Sequence, residues 1–192
     1  IQKIDVLDYQ EIAGLLDADA LKEFRNRSLS PNHPVVRGTA QNPDIYFQGR
    51  EVQNRFFENI PDIVAGYMRE FKELTGREYR PFEYYGAADA EYVIVAMGSV
   101  CDTIDETIDY LARQGKKAGA IRVHLYRPFS EKYFFEVMPE SVKKIAVLDR
   151  TKEPGSLGEP LYLDISRLYQ AKSRQPVVVG GRYGLGSKDT TP

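Results

Sequence analysis

Cysteine is nearly absent: the 192-residue chain holds one, Cys101. One thiol forms no internal disulfide. It also falls short of the roughly four ligands that an iron–sulfur cluster or a structural zinc requires. Such sparse usage fits a reducing compartment, the cytoplasm. Histidine is almost as scarce, with only His33 and His124 available as general bases. His33 stands in a proline-flanked loop. His124 falls within an apolar strand pattern, where a lone histidine is expected on a packed face rather than in catalysis. No apolar run approaches the roughly 20 residues that span a bilayer, and no secretory leader pattern stands at the start. An excess of charge of either sign is missing too. The 26 Lys and Arg set against 28 Asp and Glu leave a formal net charge of −2, which gives no electrostatic case for nucleic acid or an anionic membrane.

What is present reads as folded. Hydrophobic residues at 42% and charged residues at 28% are those of a globular chain. The length suits one domain, or one domain with part of a neighbour. The chain opens on Ile1 rather than Met and stops at Thr191-Pro192, so both ends read as cuts within a longer protein. Tyr46-Phe47-Gln48-Gly49 is close to the end of a protease-cleavable tag linker, but Asp44-Ile45 before it and its mid-chain position mark it as natural sequence.

Two textures divide the chain. Residues 1–80 read as a helical and irregular arm. A short helix is expected from Asp17 to Arg27, then a loop at Ser30-Pro31-Asn32-His33-Pro34, where proline removes a donor and restricts its neighbour. Val35 to Val52 shows no clean period, and its Gly38, Pro43 and Gly49 suggest an extended path over a partner surface. Phe56, Ile60, Ile63, Val64, Tyr67, Met68, Phe71 and Leu74 then share one helical face, with Gly76 as a stop and Pro61 marking the first turn. A cut-off domain would leave this face exposed and open to self-association.

Residues 81–192 alternate strand and helix. Strands are expected at Phe82–Tyr85 (weak, an edge), Tyr92–Ala96, Ala120–Leu125, Lys144–Leu148 and Val177–Val179, and helices around Val100–Leu111, Glu131–Met138 and Leu161–Leu168. Near-continuous Val/Ile strands between helices imply a mostly parallel sheet covered on both faces. The fold class is therefore α/β, a three-layer α/β/α Rossmann-like sandwich with right-handed crossovers.

Ligands of such sheets favour the crevice beyond the strands' carboxyl ends. Four cations fall there: Arg127, Arg150, Lys152 and Arg182. Two readings are open. The four bind an anion such as a phosphate, or they cap carbonyls, pair with Asp149 and Glu153, and dock a neighbouring domain. Gly98-Ser99 before a helix is not G-x-G-x-x-G, and Asp102, Asp105 and Glu106 would repel a phosphate. Ser99 with Asp102 reads instead as a helix cap. In Gly186-Ser187-Lys188 the lysine is misplaced for a Walker loop, and Gly181 to Lys188 reads as an exit loop. Ser156 among glycines lacks the G-x-S-x-G pattern. Cys101, beside Asp102, reads as an inert small residue. The residues therefore offer no complete catalytic, cofactor-binding or metal-binding set.

Several strings carry a resemblance: Pro34 to Glu51, Met97 to Ile104, Leu125-Tyr-Arg-Pro-Phe129, Leu148 to Gly155, Pro160 to Asp164 and Gly181 to Lys188. In this order the chain resembles an internal piece of the pyruvate:ferredoxin (flavodoxin) oxidoreductases. The resemblance implies a parent that decarboxylates pyruvate on thiamine diphosphate and Mg²⁺, passes electrons through [4Fe-4S] clusters to ferredoxin or flavodoxin, and releases the acetyl group on coenzyme A. It implies a cytoplasmic homodimer in which this chain contacts the remaining domains. Residues 1–80 would be the tail of a pyrimidine-binding-like first domain, and 81–192 a domain similar to the transketolase C-terminal domain. No catalytic residue carries over, because the family's thiamine and cluster motifs do not occur here. The implied role is to brace the parent. A coenzyme A or other anion-binding module, or the equivalent domain of another 2-oxoacid oxidoreductase, are the competing readings.

Overall fold

A computed structural model describes residues 4–36, 38, 40–186 and 189–191. The chain divides into two compact units, Ile1–Glu78 and Tyr79–Pro192.

The first unit is helical: α1 (Tyr9–Gly14), α2 (Ala18–Asn26), α3 (Pro43–Val52) and α4 (Asn54–Thr75). Helix α1 has no sequence-based forecast. Its six residues are held by a capping box, in which Asp8 accepts from the N–H of Gln10 and Glu11 while Glu11 accepts from the N–H of Asp8. Asp17 caps α2 through the Ala20 N–H at 2.9 Å. Two expectations are corrected. The extended path over Val35 to Val52 is replaced from Pro43 onward by α3. Pro43 sits in its first turn, where a missing N–H costs nothing, and Gly49 is absorbed within it at about 1 kcal/mol. Pro61 does not begin α4 but lies inside it, eight residues into a 22-residue helix that ends at the left-handed Gly76.

The second unit is a five-stranded sheet in the order β1 (Phe82–Gly86), β3 (Ala118–Val123), β2 (Tyr92–Ala96), β4 (Lys144–Asp149), β5 (Val177–Arg182). Strand β1 is an antiparallel edge on β3, and the other pairings are parallel. The third strand begins two residues earlier than its apolar run suggested, and the last extends to Arg182. The helices are α5 (Val100–Arg113), α6 (Glu131–Val137) and α7 (Pro160–Tyr169). Alternate residues of each strand feed two cores. Val93, Val95, Ile121, Ile145 and Val147 meet Phe134 of α6 and Leu161 and Ile165 of α7. On the other face, Ala96, Ala118 and Ala120 meet Cys101, Ile104 and Ile108 of α5. Small residues on that face let α5 approach closely. The three layers agree with the α/β/α expectation.

Candidate functional site

Strand β2 sends its chain through α5 to β3 on one side, while β4 lies on its other side. The strand order reverses between them, which is where open α/β sheets open a crevice. A pocket of about 320 Å³ occupies that place, lined by Met97, Gly98 and Ser99 after β2, by Asp149, Arg150 and Thr151 at the end of β4, and by Tyr126 and Tyr183.

Asp149 organises the floor. It is buried, and its two oxygens accept the backbone N–H of Leu161 at 2.9 Å and of Tyr162 at 3.1 Å. It thus caps α7 from another strand, since the residue at the N-cap, Glu159, makes no cap bond with its side chain. Glu159 turns instead to the rim. Desolvation works to raise its pKa, but the 2.7 Å bond from the Glu153 N–H, the 2.9 Å bond from Arg182 and the nearby Lys152 outweigh that and hold it below the ordinary glutamate range.

The four rim cations are placed as follows. Arg182 donates to Glu159 at 2.9 Å, and Lys152 stands 3.8 Å from the same carboxylate. Arg127 lies over the Tyr126 ring, 3.9 Å from its centroid, and pairs with Asp164 of α7 at 2.7 Å. Arg150 donates its Nε to the Gly184 carbonyl at 3.0 Å and lines the crevice. The carboxylates involved are Glu159 and Asp164 rather than Asp149 and Glu153. Sequence reasoning missed both. Glu159 was signalled only by standing before Pro160, a residue suited to a first helical turn.

Other sequence-based expectations meet the structure differently. Ser99 occupies the N-cap of α5 in a helical conformation and its side chain caps nothing. The acidic first turns of α5 are answered by Arg122 of β3, which pairs with Asp105 and stands 3.5 Å from Asp102. His124 is not on a packed strand face. It lies just past β3, its Nδ1 2.9 Å from the Arg80 carbonyl oxygen and its ring edge-on to Tyr79. Cys101 is buried, and burial pushes its thiol up to about 11, so it stays protonated and unreactive near neutral pH. Ser156 donates to the Gly158 carbonyl at 2.7 Å. Gly181 and Arg182 belong to β5, Tyr183 packs on the α5 core, and Ser187 and Lys188 lie outside the described residues.

Among the described residues, no group of three or more His, Cys, Asp or Glu converges in a metal-binding arrangement. The donor set does not fit an iron–sulfur cluster, which calls for about four thiolates. Among the same residues, no helix is long and apolar enough to cross a membrane.

Comparison with known proteins supplies the identity. The chain is 61% identical over 192 residues to a pyruvate-flavodoxin oxidoreductase of Enterobacter agglomerans and 57% identical to a pyruvate:ferredoxin oxidoreductase of Moorella thermoacetica. It is covered completely in both and spans 16% of each relative's length. It is 48% identical over 196 residues to an NADP⁺-type pyruvate dehydrogenase of Cryptosporidium parvum, of which it spans 10%. The family model for pyruvate:ferredoxin oxidoreductase core domain II matches residues 90–192, and with more than half its length matched the chain belongs to the pyruvate:ferredoxin oxidoreductase family.

Proposed function

We propose that this chain is a bracing module of a pyruvate:ferredoxin or flavodoxin oxidoreductase, positioning the parent's catalytic domains without contributing a reacting group. In this reading residues 1–80 belong to the end of the parent's first, pyrimidine-binding-like domain, and residues 81–192 form a second domain similar to the transketolase C-terminal domain. Thiamine diphosphate, Mg²⁺ and the [4Fe-4S] clusters are held by other parts of the parent chain, a cytoplasmic homodimer, and coenzyme A and the electron acceptor meet the enzyme there. Arg127, Arg150, Lys152 and Arg182 form a docking rim.

The carrying observation is where the rim's charge goes. Glu159 takes Arg182 and Lys152, and Asp164 takes Arg127. An anion site keeps its cations available for the ligand, whereas a rim tied to the buried Glu159 and the half-buried Asp164 holds its own loops in a fixed shape. The comparisons lend a second support. Relatives sharing this region are named for three different acceptors, flavodoxin, ferredoxin and NADP⁺, so a shared bracing part fits better than a part that selects the acceptor. The competing anion reading reduces to Arg150 and the crevice beside it.

A thermal-shift titration of the chain with coenzyme A, with thiamine diphosphate plus Mg²⁺, and with pyruvate tests this. A ligand that binds only the folded form adds about 2.7 kcal/mol at 100 times its Kd. The expected result is no shift with any of the three. A coenzyme A shift abolished by Arg150→Ala would replace bracing with ligand binding.

A further inference from the structure

Parallel sheets are covered on both faces, because both present apolar side chains. Here one face is covered only in part. Aligned residues of neighbouring strands share a face, so the register places Tyr92, Lys144 and Val177 in one row and Ile94, Ala146 and Val179 in the next, all on the side of α5. Helix α5 lies over β3, β1 and β2, which among the described residues leaves the strip over β4 and β5 bare. Val177 and Val179 are 57% and 52% exposed and Tyr92 is 48% exposed. On the opposite face of the same strands α7 closes over Ile145 and Val147, which are fully buried.

The strip has walls. The Asp102–Asp105–Asp109 flank of α5 turns towards β3 and β1, through Arg122 and through the Tyr85 hydroxyl that donates to Asp109 at 2.8 Å. The other flank, Thr103, Thr107 and Tyr110 at helical spacing, therefore borders the strip. The chain after β5 closes the carboxyl end: the Tyr183 hydroxyl donates to the Met97 carbonyl and the Thr103 hydroxyl to the Thr190 carbonyl, each at 3.3 Å.

We propose that this strip is the seat of one amphipathic helix supplied by the parent polypeptide from outside these 192 residues, lying along β4 and β5 beside α5. Three observations favour that occupant. Strands are spaced about 4.8 Å apart, so two strands offer a strip about 10 Å wide, the diameter of a single helix. The chain is matched completely yet spans only 16% of its relatives, so most of the parent polypeptide is available to cover it. Lys144 is exposed at the strands' amino end, 5.9 Å from the Tyr92 ring. A helix antiparallel to the strands brings its carbonyl end there, where a cation is favourable. A second copy fits less well, because a two-fold contact needs a self-complementary patch, and a strip stepped by α5 along one side and closed at one end is not one.

This inference rests on the bracing reading and names one surface through which bracing acts. The test uses the full-length parent enzyme carrying a photo-crosslinking phenylalanine analogue at Val179, with cross-linked peptides identified by mass spectrometry. Alongside it, acetylation of Lys144 and hydroxyl-radical oxidation of Tyr92 and Tyr110 are measured in the unaltered parent, so a folding defect in the variant does not hide the answer. The expected result is an intramolecular cross-link to an amphipathic segment outside the 192 residues, with Lys144 and both tyrosines at least tenfold less reactive than in the unfolded enzyme. A cross-link to a second copy or to α4 would overturn the proposal, as would a reactive Lys144 and Tyr92 with no cross-link. Failure of the bracing reading itself looks different: a coenzyme A thermal shift that depends on Arg150.

Discussion

The two units of this chain put their apolar side chains to opposite uses. In the sandwich, Phe134, Ile145, Val147, Leu161 and Ile165 are each 0% exposed. In the arm, α4 has the stronger-looking pattern, 22 residues with one apolar face, yet only Pro61 and Ala65 of it are buried. Phe24, Phe47 and Phe56 remain 67%, 69% and 59% exposed. An amphipathic helix needs a second layer of its own domain before its pattern becomes stability. The sandwich contains its layers except over β4 and β5, and the arm leaves most of its apolar face open.

Truncations test that contrast most severely. Phe134→Ala in the chain removes a ring packed edge-on against Phe82 and Phe135 and should cost about 3–5 kcal/mol by urea unfolding of the sandwich. Phe24→Ala in the arm should stay within about 0.5 kcal/mol. Equal losses would break the contrast. Next in size is Gly119→Ala, whose new Cβ would run into the Tyr84 ring across the strand pair. A loss of about 1–3 kcal/mol is expected, recovered in part by Tyr84→Ala in a double-mutant cycle.

Caps sharpen the comparison further. Asp149→Ala strips a buried carboxylate from two N–H groups of α7 and should cost about 2 kcal/mol, the upper end for caps. Asp17→Ala, exposed at α2, should cost about 0.5 kcal/mol. The smallest effect is one of pH. The folded pKa of Glu159 lies below its unfolded value near 4.3. Its contribution is therefore present in full above that value and disappears as pH falls through the folded pKa. The Tm difference between the native chain and Glu159→Gln should be constant from pH 7 to pH 5 and shrink below about pH 4. A difference that grew on acidification would reverse the assignment.

Much of the sandwich was legible because its signals are local. Tyr92–Ala96 and Lys144–Leu148 are apolar runs, and Val100, Ile104, Ile108 and Leu111 mark a helix. Helix α3 was not legible, since Pro43 and Gly49 read as breakers until one falls in a first turn and the other inside the helix. The short α1 depends on two carboxylates rather than on any period. At the crevice, the cations were visible as residues following strands, but their carboxylates were not. Glu159 reaches the rim only because the loop after β4 folds back on itself, and Asp149 turns away from its sequence neighbours to cap α7. Such pairings are made by tertiary geometry and leave no spacing to read.

The antiparallel edge strand has a mechanical consequence. Because β1 runs against the others, its first residue, Phe82, sits opposite Val123, at the carboxyl end of the sheet. Thr190 lies at the same end, beside the first turn of α5. The path into the sandwich and the path out of it therefore meet at one pole. A chain can acquire or shed such a body at one seam, and a pull along the chain need not run through its sheet. Had β1 been parallel, entry would lie at the far pole and any pull along the chain would run through the sheet.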